Sequence, residues 1–170
     1  MTTDSRRTPY NDNYETCVST TASLLIYPNT LSPDDVTLRL RIQPTKVAQA
    51  GETRTNSLGR KLTIEKSHWL LSSEGHIDSK DLRRHLDWLI SHIQPSAAEL
   101  GALQNIAGVR MGINCRWESL DGQGGPTLWP EQMRLISDLG LECSFSIEFY
   151  GEIEVPEVRH SLDREPSRSG

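Results

Sequence analysis

The sequence predicts an α+β fold, a mainly antiparallel or mixed sheet of four to five strands with helices packed on one face. Two patterns predict it. Apolar and polar residues alternate with period two in several segments, and segments of helical period lie between them. The alternation is clean, so one face of each strand is buried and the other is wet. A parallel sheet covered on both faces reads instead as continuous apolar runs. The element order is β-α-β-α-α-β-α-β, and the helical crossover before the last strand allows one parallel pair.

The first strand runs from Cys17 to Tyr27, with Val18, Ala22, Leu24 and Ile26 on one side and Cys17, Ser19, Thr21 and Ser23 on the other. Ser32-Pro33-Asp34-Asp35 starts a helix: a serine faces an acid three residues on, and proline takes the first helical position. Val36 and Leu40 supply its apolar side, and Pro44 forces a stop. Residues 45–66 are polar, contain Gly51 and Gly59, and form a long connection with room for a short strand near Leu62 and Ile64. His68 to Ser73 is a short strand carrying Trp69 and Leu71.

The clearest helix carries Leu82, Leu86, Leu89, Ile90 and Ile93 at helical spacing. Asp78 and Asp81 sit at its positive end, and Pro95 breaks it. A shorter helix follows through Leu100, Leu103 and Ile106, ended by Gly108. Val109 to Trp117 alternates again, with Val109, Met111, Ile113, Cys115 and Trp117 opposed to Arg110, Gly112, Asn114 and Arg116. Pro130 to Leu139 is a helix with Met133, Ile136 and Leu139 inward and Gly140 as its stop. In the last strand Leu141, Cys143, Phe145, Ile147 and Phe149 oppose Glu142, Ser144, Ser146, Glu148 and Tyr150.

The 170 residues include 23 acidic and 18 basic side chains, a formal charge of −5, with 35% hydrophobic content. That length fits a single domain. Residues 15–152 are expected to form it, flanked by disordered tails over 1–14 and 153–170 that have little to bury. Met1 to Asn13 lacks an apolar core, so no signal peptide is expected. No apolar run approaches the length of a membrane span, and a cytoplasmic protein is the expectation.

Cys17, Cys115 and Cys143 are too few and too far apart for a disulfide framework, and no C-x-x-C pair exists. They read as small apolar residues within strands, in a reducing compartment. His85 and His92 lie seven apart on one helix face, too far along it to share an ion, so no metal site is expected. No nucleophile-elbow or zinc-protease motif occurs.

Several short stretches, taken in order, carry a resemblance. They are Leu31-Ser32-Pro33-Asp34-Asp35, Ile42-Gln43-Pro44-Thr45, Gly51-Glu52, Trp69-Leu70-Leu71-Ser72-Ser73-Glu74, His85-Leu86-Asp87-Trp88-Leu89, and Gly122-Gln123-Gly124-Gly125-Pro126-Thr127-Leu128. Over residues 16–150 the chain resembles the bacterial domain-of-unknown-function family 4279. The resemblance implies a small stand-alone cytoplasmic domain, and it brings no activity, cofactor or catalytic residue. Trp129 departs from the pattern, standing where a small polar helix cap such as serine is expected.

Three surfaces are candidates for function. The loop Gly122–Thr127, including Gln123, Gly124 and Gly125, precedes a helix and can converge backbone N–H groups on an anion, or simply turn the chain. The stretch from Arg39 to Lys66 is rich in basic residues but has no aromatics for stacking, so no nucleic acid is expected. The wet sheet face carries Arg110, Asn114 and Arg116 on one strand and Glu148 and Tyr150 on another, forming a partner surface or ion pairs across neighbouring strands. Trp88 and Trp129 lie off the core pattern and read as partner anchors or edge packing. The leading reading is a non-catalytic protein-interaction domain, immunity-type being one form, with homodimerisation as another use of its surface. The alternative is a binding domain for a small anionic ligand at the glycine loop, Arg110 and Arg116. An enzyme ranks third, and no cofactor and no membrane contact are expected.

Overall fold

A computed structural model describes residues 7–151. The tail expected over 153–170 lies outside the described residues, as do residues 1–6. The elements are β1 (Cys17–Tyr27), α1 (Pro33–Leu40), β2 (Lys46–Ala48), β3 (Thr53–Thr55), β4 (Lys61–Thr63), β5 (His68–Ser72), α2 (Leu82–Ile93), α3 (Ala97–Gln104), β6 (Arg110–Ser119), α4 (Pro130–Asp138) and β7 (Glu142–Phe149). Five strands form one mixed sheet in the order β2-β5-β1-β6-β7, and β3 and β4 form a small separate hairpin sheet. The fold is α+β. All neighbours in the large sheet run antiparallel except β6 and β7, the parallel pair that the α4 crossover permits.

The helices bury their apolar stripes in one cluster on one sheet face. Ala22, Leu24 and Ile26 of β1, Trp69 and Leu71 of β5, and Ile113 and Cys115 of β6 meet Val36, Leu40, Leu82, Leu86, Leu89, Ile93, Leu100, Leu103 and Ile136. Each large side chain sealed there contributes about 1.5–3 kcal/mol relative to exposure. The caps follow the sequence. Ser32 Oγ accepts the Asp35 N–H at 3.1 Å, and the Asp35 carboxylate accepts the Ser32 N–H at 3.0 Å. Helix α1 ends before Pro44, at Arg41, which takes a left-handed φ of 55°. Gly140 (φ 64°) closes α4, and the Leu141 N–H behind it donates to Ile136 C=O at 3.2 Å.

Five expectations need correction. Val18 is 39% exposed and Cys17 is buried, because a register shift between Cys17 and Ser19 reverses which side chains face the core. In α4, Met133 is exposed and Gln132 is buried in its place. The connection over 45–66 has the short strand expected near Leu62, β4, but also β2, which extends the sheet at its edge, and β3, which pairs with β4 in a hairpin. The apolar side of β7 is not core. Leu141 is buried at its start, but Phe145, Ile147 and Phe149 are exposed by 43%, 49% and 63%.

The fifth concerns residues 7–14, which are held as a strap across α2 and α4. Arg83 is buried and uses all its N–H groups: bonds to both Asp81 carboxylate oxygens at 2.8 and 2.5 Å, to Thr8 C=O and Oγ1 at 3.1 and 2.7 Å, and to Pro9 C=O at 2.8 Å. The Tyr10 hydroxyl bonds the Asp87 carboxylate, and its ring lies 4.7 Å from that of Trp129. Asp12 pairs with Arg84 at 3.0 Å. These bonds offset the entropy cost that composition alone assigns to such a segment.

Candidate functional site

The parallel β6–β7 register brings the predicted wet-face residues together. Asn114 lies opposite Ser144, Arg116 opposite Ser146 and Glu118 opposite Glu148. Asn114 Nδ2 donates to Ser144 Oγ and Ser146 Oγ, both at 3.1 Å. Arg116 pairs with Glu148 at 3.1 Å and with Glu118. Glu118, which sequence reasoning passed over, is buried and is the hub of this face. It also accepts from Ser19 Oγ at 2.5 Å and from the Tyr150 hydroxyl at 3.2 Å. The negative charge of Glu118 and its bond to the hydroxyl raise the Tyr150 pKa. The face therefore spends Arg116 and Glu148 on each other, Asn114 on Ser144 and Ser146, and Tyr150 on Glu118, in the cross-strand pairing open to them. Arg110 takes no part in these pairs; it lines a groove of about 510 Å³ with Tyr27, Asn29 and Lys66, and a second groove with Asn114, Glu142 and Ser144.

The glycine loop does not join them. Gly122 N–H donates to Ser119 Oγ at 3.1 Å and Gln123 N–H to Asp121 Oδ1 at 3.0 Å, so these two donors are taken up by neighbouring side chains. Gly124 has φ 75°, and a Cβ there would stand 2.5 Å from Thr16 Oγ1. The loop is a turn packed on the chain leading into β1, rather than an anion cradle. Trp129 is also elsewhere. Its ring lies 4.9 Å from the Arg83 guanidinium, and its indole N–H donates to Thr8 C=O at 3.2 Å. The helix it precedes is capped by Gln132, whose Oε1 accepts the Trp129 N–H at 3.0 Å. Trp129 thus clamps the strap. Trp88, the other off-pattern tryptophan, stacks between His76 and His92 at centroid distances of 4.7 and 4.2 Å.

Two internal pairs have the residue types of chemistry. The Cys115 and Cys143 sulfurs are 3.7 Å apart, and their shared hydrogen bond raises the Cys115 pKa and lowers that of Cys143. Burial pushes the Cys17 thiol up to about 11. Ser73 Oγ and His85 Nδ1 are 2.8 Å apart, but both residues are buried, and the serine also accepts the Ala22 N–H at 3.0 Å. His85 Nε2 lies 2.8 Å from Ser79 C=O, an acceptor, so Nε2 carries the proton and Nδ1 accepts from the serine. The pair ties α2 to the sheet.

The least satisfied part of the surface is the outer side of β7. This strand closes the sheet at one edge. Tyr150 N–H donates to Ser119 C=O at 2.9 Å, toward β6. Along an unbroken strand successive N–H groups point to opposite edges. The backbone groups of Ser144, Ser146 and Glu148 therefore face β6, and those of Cys143, Phe145, Ile147 and Phe149 face outward. The same four side chains project on the helix side, level with Ile113, Cys115, Trp117 and Ser119 of β6. Helix α4 shields only the beginning of the strand, so among the described residues an apolar row and an unpaired backbone edge coincide. Sequence reasoning missed this because period two identifies a face and not what covers it.

Fold and site together define a small α+β domain with an open edge strand. The sequence model of the family described as "Domain of unknown function (DUF4279)" matches residues 17–150, and the chain belongs to this family. The strap lies just before the matched region. Neither the curated proteins nor the solved structures offer a match to the chain. Among the described residues, no helix is long and apolar enough to cross a membrane.

Proposed function

We propose that this is a non-catalytic protein-interaction domain of the bacterial cytoplasm, and that β7 is its docking edge. One observation carries the reading: the strand whose outer backbone edge is free among the described residues also exposes Phe145, Ile147 and Phe149. An edge strand with an apolar row templates pairing with another chain unless it is blunted. β7 has no lysine, proline or bulge, and its two charges, Glu142 and Glu148, lie on the wet face away from the apolar row. Main-chain bonds along such an edge supply affinity, and alternate side chains supply specificity. An immunity-type role is one form of this function, in which the bound partner is a protein to be neutralised.

The test is site-specific photocrosslinking in the native cell. A benzophenone amino acid at Phe149 is expected to give a protein adduct, and the same group at Leu38, an exposed residue of α1, is expected to give none. Absence of an adduct at Phe149, or equal yields at both positions, overturns the reading.

A further inference from the structure

We propose that the partner at this edge is a second copy of the chain, joined by antiparallel β7–β7 pairing about a two-fold axis at Ser146. This rests on the reading of β7 as a docking edge and names its occupant. A two-fold axis perpendicular to the sheet keeps each side chain on its own face, so it must pass midway between one residue and that residue's symmetry mate. The charges of β7 then select the register. An axis at Phe145 sets Glu142 against the partner's Glu148, a like-charge pair directly opposed on both sides of the axis. An axis at Ile147 leaves Cys143 opposite the partner's Gly151, past the end of the strand.

The axis at Ser146 satisfies the whole strand. On the wet face Glu142 stands opposite the partner's Tyr150, and Ser144 opposite the partner's Glu148. Each carboxylate then meets a neutral hydroxyl-bearing side chain. On the helix side Phe145 stands opposite the partner's Ile147, and Cys143 opposite the partner's Phe149, so the apolar rows of the two copies pack side by side. The outward backbone groups of Cys143, Phe145, Ile147 and Phe149 are the four that this pairing bonds. The two sheets become one continuous sheet with all helices on the same side.

Because the Ser146 backbone faces β6, the pair of Ser146 residues across the axis is of the non-hydrogen-bonded kind. Such pairs bring Cα atoms to about 4.5 Å, within disulfide range. The experiment uses the full chain, in wild-type, Ser146→Cys and Ser144→Cys forms. Sedimentation equilibrium of the wild type is expected to give twice the 19.1 kDa chain mass at high concentration, falling toward one chain on dilution. With glutathione disulfide as oxidant, two thiols are oxidised to one disulfide and the glutathione disulfide is reduced to two glutathiones. S146C is expected to link into a covalent dimer. S144C, which faces the partner's Glu148, and the wild type are expected to stay unlinked. A single-chain mass at every concentration overturns the inference, as does S144C linking as readily as S146C. If the chain is monomeric while the Phe149 photoadduct joins it to a different polypeptide, the docking edge stands and the second copy falls. With neither dimer nor adduct, both fall.

Discussion

At the scale of single residues, His85 shows how burial fixes a protonation state. The ring donates from Nε2 to Ser79 C=O and accepts at Nδ1 from Ser73, so protonation would aim a second N–H at a hydroxyl already used. Burial lowers its pKa in the fold. In the unfolded chain it titrates near the ordinary value of about 6.5, so below that pH the unfolded state binds more protons. The stability His85 contributes is thus complete above about pH 6.5 and is lost as pH falls toward the depressed folded value. Urea midpoints measured from about pH 7.5 down to 5 are expected to fall for the wild type, and less steeply for His85→Gln. Equal slopes would show that other groups govern that range. Neither partner of His85 was evident in the sequence, because Ser73 and Ser79 reach the ring only through the turn between β5 and α2.

At the scale of elements, the strap is a part of the fold that its composition conceals. Tyr10 packs on Trp129 and lies under the Arg84 guanidinium at 3.7 Å. Burial, with its bond to the Asp87 carboxylate, pushes its hydroxyl up to about 12. Tyr10→Ala is expected to cost about 1–2 kcal/mol, from the lost ring and cation contacts. Chemical denaturation checks this, and an unchanged midpoint would show a strap that rides on the domain without supporting it. The helices α1, α2 and α4, the strands β1, β5 and β6, and the parallel crossover were legible in the sequence. Each rests on periodicity and capping between near neighbours, as in Ser32 with Asp35. What stayed hidden depends on distant partners. Three-residue β2 has too few positions to show a period, and the shift at Cys17 has no local signal. The candidate wet-face residues were legible as a face, and four of them do meet there. Trp129 and the glycine loop belong elsewhere, since only the tertiary structure shows that they serve the strap and the approach to β1.

At the scale of the whole molecule, layering explains why one edge is open among the described residues. Helices α1 to α4 cover one face of the sheet, and the final helix reaches only the start of the final strand. Apolar area that a longer helix would cover is left beside unpaired backbone. The proposed second copy pairs that backbone and sets its own apolar row beside this one, because the row and the edge belong to the same four residues. Amide hydrogen exchange of β7, followed by nuclear magnetic resonance over a dilution series, measures this directly. The amides of Phe145, Ile147 and Phe149 are expected to exchange slowly at high concentration and to speed up on dilution, while those of Ser144, Ser146 and Glu148, which face β6, are expected not to change. Fast exchange at Phe145, Ile147 and Phe149 at every concentration would contradict it.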